Sequence, residues 1–147
     1  MTEFFRLRLA CRICSLDEIE TWANNQIGNL EQPPFLLCEL ATASQLQRAD
    51  VINALMCYPR STKEKDSAWL LLCRFLYTDL SQEHRGVEET IAALWTLKQL
   101  HEIPGHIESE VAWVEDALSL ARDGIYGAME DVTTSTLTML RQQFERV

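Results

Sequence analysis

The sequence predicts an all-α protein of about seven short helices, packed as antiparallel pairs in a helical bundle or a short solenoid-like array. Two capping boxes, Ser15 with Glu18 and Ser61 with Glu64, each precede a run in which apolar residues recur three and four positions apart. No second convincing strand pattern accompanies the one ambiguous segment. The length of 147 residues predicts a single domain, residues 1–147, that buries a core without disulfides.

Residues 3–14 fit two secondary structures. Residues 6–9 alternate between arginine and leucine, as in a half-buried strand, whereas Phe5, Leu9 and Ile13 recur at every fourth position, as on one face of a helix. A strand without a partner would leave its N–H and C=O groups unsatisfied. We therefore expect a helix in this segment.

The first half of the chain contains three further helical patterns, over about residues 16–26, 35–41 and 44–56. Gly28 ends the first pattern. The pair Pro33-Pro34 begins the second, because the first turn of a helix does not need the proline N–H. Ser44 is predicted to cap the third pattern, and Pro59 to end it.

The second half contains four patterns, over about residues 62–80, 83–101, 107–122 and 130–146. Residues 68–77 are apolar nearly all round, with Arg74 the exception, which predicts a helix that its neighbours surround. Pro104 and the pair Asp123-Gly124 separate the later patterns. The last pattern begins with several threonines, which favour a helix less than most residues do.

Two short motifs that suggest metal binding lack the spacing that metal binding needs. His101 and His106 are five positions apart with Pro104 between them, whereas a zinc protease places two histidines four apart on one helical face. Cys11 and Cys14 form a Cys-x-x-Cys motif without the second pair that a structural zinc site requires. We expect a helix-ending loop at the histidines, no catalytic residues, no metal and no cofactor.

The four tryptophans all fall inside helical patterns. An aromatic cage or a stacking platform would need them clustered and exposed. We therefore predict core packing for the whole set, Trp22, Trp69, Trp95 and Trp113.

The compartment is predicted from the N-terminus and from the cysteines. Charged residues at positions 3, 6 and 8 interrupt the apolar run that a signal peptide needs, and no later apolar run reaches the ~20 residues that span a bilayer. Five cysteines, an odd number in apolar surroundings, are typical of reduced thiols. We expect a cytoplasmic protein without a membrane partner.

The negative charge is concentrated in one third of the chain. Residues 79–131 hold twelve acids and three bases, a net charge of −9, compared with −1 for residues 1–78 and +1 for residues 132–147. This sign disfavours direct nucleic-acid binding, because phosphate contacts need Lys and Arg. Two interpretations stay open: a solvated face that keeps the protein soluble, or a surface complementary to a basic partner.

The candidate partner-binding residues are the acids of the two helices in this region. At 100° per residue, Glu108, Glu115, Asp116 and Asp123 lie opposite the apolar positions Ile107, Val111, Val114 and Leu118. Glu110 falls instead in a further apolar arc with Trp113 and Ala117, where it is expected to pair with a buried arginine or to lie at an interface. The predicted set is Glu88, Glu89, Glu108, Glu110, Glu115, Asp116 and Asp123.

One N-terminal stretch resembles a known family. An acid-x-Ile-x-x-Trp-Ala pattern from Asp17 to Ala23, followed by Pro33-Pro34 and an apolar helix, is similar to small all-helical bacterial immunity proteins of polymorphic and contact-dependent growth-inhibition toxin systems. The resemblance covers about 25 residues and consists of packing residues, so it brings no catalytic group with it. It implies a helical protein that binds and neutralises a cognate toxin.

These features are compatible with three functions. The first is an immunity protein whose acidic face covers a toxin, plausibly a basic nuclease. The second is a non-catalytic helical adaptor or scaffold in another complex. The third is an enzyme that uses His84, His101 or His106 with a nearby carboxylate. The sequence does not specify an oligomeric state.

Overall fold

A computed structural model describes residues 1–59 and 61–145, and all regular secondary structure in these residues is helical. Their eight α-helices and two 3₁₀ turns confirm the all-α prediction. The chain divides into two compact units, Met1–Lys65 and Asp66–Val147. The single domain stays a prediction, and each unit is described separately.

From residue 15 onward the helix bounds match the predicted patterns within two residues, except that the helices predicted to begin at residues 44 and 83 begin four residues later, at Arg48 and Val87. The helices are α1 (Thr2–Ala10), α2 (Leu16–Ile27), α3 (Phe35–Leu40), α4 (Arg48–Met56), α5 (Thr62–Ser81), α6 (Val87–Gln99), α7 (Glu108–Arg122) and α8 (Met129–Glu145). The 3₁₀ turns are Ala43–Gln45 and Gly105–Ile107. Arg146, the predicted end of the last helix, lies outside the described residues.

Residues 2–10 of the ambiguous N-terminal segment form the helix α1, whereas residues 11–14 lie beyond its end, so the expected helix is shorter than predicted. Two arginines bind carbonyl oxygens in this region. Arg48 Nη1 donates to Leu9 O at 3.1 Å, and Arg8 Nη2 donates to Ile13 O at 3.2 Å and to a carboxylate oxygen of Glu18 at 2.8 Å. The last carbonyls of a helix have no partner within it. Charged donors therefore satisfy backbone groups at this end of α1.

Both predicted capping boxes are present. In the first, the Glu18 amide donates to Ser15 Oγ at 3.1 Å, and the Ser15 amide donates back to the Glu18 carboxylate at 3.2 Å. In the second, the corresponding distances between Glu64 and Ser61 are 3.2 and 2.7 Å. These bonds satisfy N–H groups at the starts of α2 and α5 that lack partners within the helix.

The first unit has an apolar core built from α1 to α4. Trp22 packs on it, with its ring centroid 5.1 Å from that of Phe5. The buried core residues are Phe5, Leu9, Cys14, Ile19, Ala23, Leu37, Leu40, Ala43, Val51, Ala54 and Leu55. The stretch that carries the family resemblance, residues 17–40, therefore contributes buried side chains to this core.

The prediction that Ser44 caps a helix is wrong. Ser44 lies within the 3₁₀ turn, and α4 begins four residues later at Arg48. The Ser44 amide donates instead to a Glu20 carboxylate oxygen at 2.9 Å, and hydrogen bonds from Ser44 lower the pKa of Glu20. A long-range hydrogen bond thus replaces the local cap that the sequence pattern suggested.

The second unit contains the packed helices α6, α7 and α8. Their central side chains are fully or almost fully buried, as is Ile107 of the preceding 3₁₀ turn; those in the helices include Ile91, Leu94, Leu97, Val111, Val114 and Leu140. In α5, Leu72, Cys73 and Leu76 are buried, but Leu71 is exposed. The prediction that neighbours surround residues 68–77 on all sides is therefore wrong for one side of the helix.

The connection from α7 to α8 is a tight turn built around Gly124. Gly124 has φ +67°, its amide donates to Ala121 O at 3.2 Å, and the Ile125 amide donates to Leu120 O at 2.9 Å. These two bonds form a Schellman motif, which favours glycine because a left-handed conformation crowds a Cβ. The turn confirms the helix end predicted at Asp123-Gly124.

The threonines in the first half of α8 are accommodated by hydrogen bonds to their own helix. The hydroxyls of Thr133, Thr134, Thr136 and Thr138 each donate to the carbonyl four residues earlier, at 2.8–2.9 Å. Such bonds satisfy the hydroxyl without a tertiary partner.

In the described part of the chain, no helix combines the length and apolar character needed to cross a membrane.

The five cysteines differ sharply in accessibility, which gives a first prediction. Cys38 and Cys57 are exposed, and the other three are buried. Burial raises the pKa of the Cys14 thiol to about 11 and also raises the pKa of Cys73. Because alkylation needs an accessible thiolate, iodoacetamide should modify Cys38 and Cys57 in the native protein and the other three only after unfolding. Peptide mass spectrometry measures the alkylation of each cysteine. Modification of Cys73 as fast as Cys38 in the native protein would contradict the prediction.

Candidate functional site

The predicted acids of α6 line one side of a shallow depression between α6 and α7. Glu88 and Glu89 are exposed in the first turn of α6, where negative charge is favoured by the helix dipole. The α6–α7 depression, of about 390 Å³, is lined by Glu88, Glu89, Ile91, Ala92, Trp95, Glu115, Leu118 and Arg122. The structure thus brings three of the seven predicted acids to one concave surface.

Helix α7 directs its residues to three sides. Its buried side consists of the predicted apolar positions Val111, Val114 and Leu118. Glu115 lies toward α6, whereas Asp116 and Glu110 line the surface toward α8. The acids predicted to form one face are therefore divided between two neighbouring surfaces.

The remaining two acids lie at the ends of α7. Glu108 is the first residue of the helix and is exposed, as the helix dipole favours. Asp123 is the exposed C-cap residue, where the same dipole disfavours a negative charge. The local structure of α7 therefore gives no stabilising reason for a carboxylate at position 123.

Most of the predicted acids have no intramolecular ion pair. Glu89 lies 3.6 Å from Arg85 Nη1, and Arg85 Nε also bonds Asp79 at 3.3 Å. Among residues 1–59 and 61–145, no cationic group lies within ion-pair distance of the other six acids, Glu88, Glu108, Glu110, Glu115, Asp116 and Asp123. For Glu110 this excludes the predicted buried arginine within the described part of the chain. The negative charge of α7 is largely uncompensated.

A second concave surface, the α7–α8 groove, lies on the other side of α7. It consists of two cavities, of about 490 and 700 Å³, which both include Trp113 and Ser135. The other residues that line the smaller cavity are Ser109, Glu110, Val114, Thr134, Thr138, Met139 and Gln142. The other residues that line the larger cavity are Asp116, Ala117, Leu120, Tyr126, Gly127, Ala128, Asp131 and Val132.

The tryptophan prediction holds for Trp69, which is buried, and for Trp22, which packs on the first core. Trp95 is partly buried, and the Lys98 ammonium lies 4.6 Å from its ring centroid. For Trp113 the prediction is wrong, because this residue is 58% exposed in the α7–α8 groove. The helical period places Trp113 on an apolar arc but does not tell whether another helix covers that arc.

Sequence reasoning missed the groove residues Leu120, Tyr126 and Asp131. Tyr126 follows the Schellman turn and is 79% exposed, and Asp131 lies in the first turn of α8. The sequence contains one signal for this groove, because Glu110, Trp113 and Ala117 lie on an arc of α7 that is separate from its buried apolar positions. An apolar arc beyond the seam indicates a second surface for packing or binding.

The predicted loop after α6 is present. The helix ends at Gln99, His101 has φ +56°, and Pro104 precedes the 3₁₀ turn. One ring nitrogen of His106 lies 3.2 Å from Gln143 Oε1. In the described residues, no three His, Cys, Asp or Glu side chains come together as metal ligands.

Searches of protein-family models, curated proteins and solved structures gave no significant match to this chain.

Proposed function

We propose that this protein acts by binding: it is an immunity protein that neutralises a cognate bacterial toxin, a basic nuclease, by covering it with the acidic surface of α6 and α7. The observation that carries the proposal is the uncompensated charge of six acids in this region. Carboxylates that have no ion-pair partner repel one another, and a basic partner relieves this repulsion. The resemblance of residues 17–40 to immunity proteins supports the same class.

The surface suits recognition better than catalysis. Five of its seven acids line two concave surfaces, with Glu88, Glu89 and Glu115 in the α6–α7 depression and Glu110 and Asp116 in the α7–α8 groove. These acids attract and orient a basic protein during association. An inhibitor needs complementary shape and charge and no reacting group of its own. The protein is proposed to act in the bacterial cytoplasm, where a nuclease toxin would find its substrate.

The test uses the protein encoded by the gene next to this one as the probe. The two proteins should co-purify, and this protein should restore growth to cells that express its neighbour. The combined variant Glu108→Lys, Glu115→Lys and Asp116→Lys should raise the Kd at least about tenfold, more at low salt than at high salt.

A matched control separates the acidic surface from net charge. The variant Glu31→Lys, Glu39→Lys and Asp66→Lys changes the net charge equally at exposed positions in other helices and loops, and it should bind like the wild type. Unchanged binding by the first variant would reject the acidic surface. Absence of binding to the neighbour would reject the immunity function, and stable co-purification with a different protein would favour the adaptor.

A further inference from the structure

We propose that the α7–α8 groove is an anchor site for an amphipathic segment of the partner, with large apolar side chains on one face and Lys or Arg beside them. The identity of the partner rests on the proposed function, whereas the chemistry of the segment follows from the groove.

Large apolar side chains are exposed close together in the α7–α8 groove. Trp113 stands between the two cavities, and Leu120 and Tyr126 are exposed in the larger one. Clustered exposed apolar side chains are uncommon on monomeric proteins and mark interaction sites. Tryptophan and tyrosine are also enriched among the residues that dominate binding energy.

The charge of the groove selects the kind of segment. The charged residues lining its two cavities are Glu110, Asp116 and Asp131, and all three are acids. Asp131 accepts a hydrogen bond from the Ala128 amide at 3.3 Å, and the other two have no ion pair within the described residues. An acidic apolar segment would be repelled here, whereas basic residues beside the apolar anchors would be attracted.

The length of the groove fits a helical segment. The 15 residues of α7 extend over about 22 Å. The two cavities lie one after the other along this helix with Trp113 between them. Apolar side chains on one face of a bound helix are spaced for such a row of cavities.

A second copy of the chain is a poorer occupant. Its net charge of −9 opposes self-association through a groove lined with acids. Its own segment with alternating arginine and apolar residues is α1, in which Arg6 and Arg8 are buried. A different, basic protein is the occupant that the charges favour.

A synthetic peptide of about 14 residues, ~21 Å long as a helix, tests the groove without the toxin. Its leucines occupy one helical face and its lysines the other. Two comparison peptides carry glutamate in place of lysine or serine in place of leucine. Binding is followed through the indole N–H resonances of ¹⁵N-labelled protein, in which Trp113 is assigned with the variant Trp113→Phe. The Leu/Lys peptide should shift the Trp113 resonance, and the comparison peptides should bind at least about tenfold more weakly.

Substitutions separate groove binding from general apolar adhesion. Trp113→Ala lacks the indole that reports binding, so the Kd values of the variants and the wild type are compared by isothermal titration calorimetry. Trp113→Ala should raise the Kd for the Leu/Lys peptide at least about tenfold. Phe35→Ala removes a side chain that is 81% exposed on α3 and should leave the Kd unchanged. Equal binding by Trp113→Ala and the wild type would overturn the inference, as would a dimer in sedimentation that Trp113→Ala dissociates.

The outcomes also distinguish the inference from the proposed function. If Trp113→Ala retains full affinity for the neighbour-encoded toxin while the triple acid variant loses it, the anchor site is wrong and the immunity function stands. If the neighbour does not bind but the Leu/Lys peptide binds through Trp113, the immunity function is wrong and the groove stands.

Discussion

Replacing Glu3 by alanine should lower the free energy of unfolding by about 3–5 kcal/mol, because the substitution breaks a buried ion pair. The Glu3 carboxylate accepts two hydrogen bonds from the Arg6 guanidinium, at 2.9 and 2.7 Å, and the two residues are only 5% and 3% exposed. Without the carboxylate, the guanidinium stays buried and loses both of these bonds. Denaturant unfolding followed by circular dichroism at 222 nm measures the loss.

Two variants serve as controls for this prediction. Glu145→Ala removes the carboxylate of the exposed Arg141–Glu145 pair, 2.6 Å apart, and should leave the free energy of unfolding unchanged within error. The double variant Glu3→Met and Arg6→Met should recover much of the loss, since apolar residues of similar size often replace a buried ion pair at little cost. A double variant as unstable as Glu3→Ala would show that α1 needs the ion pair itself.

Replacing Leu94 by alanine should cost about 2–5 kcal/mol, through lost burial and the cavity that remains. Leu94 lies in α6 with no exposed surface, and α6 packs against both α7 and α8. The surrounding helices are held by their own buried residues, so they close only part of the space. The midpoint of denaturant unfolding should fall with little change in its slope.

The matched control is the same substitution at Leu100. This residue follows α6 and is 51% exposed, so Leu100→Ala should change the free energy of unfolding by no more than about 0.5 kcal/mol. Equal losses at positions 94 and 100 would contradict the assignment of Leu94 to the core.

The sequence was most informative where a local signal decides the structure. Ser15 and Ser61 begin helices because their side chains satisfy nearby amides, and Gly124 ends one because it adopts a positive φ without strain. These interactions join residues that are at most five positions apart in the sequence. The helical character of residues 2–10 also followed, from the absence of a second strand.

The sequence was least informative where the structure depends on contacts between residues that are far apart in the sequence. Ser44 carries a local capping signal, but its amide bonds Glu20, which is 24 positions away in sequence. Trp113 has the spacing of a core residue, but no other described element covers most of its side chain. The division of the acids between two surfaces depends on which helices flank α7. The function and the contact residues stay predictions.

The three-sided arrangement of α7 has a consequence for how such a protein diverges. The buried positions Val111, Val114 and Leu118 are constrained by packing, whereas outward positions such as Asp116 make no described ion pair or core contact. Substitutions at outward positions are therefore nearly neutral for stability. If the proposed function holds, related chains with the same core can acquire different partner preferences, one surface at a time, without refolding.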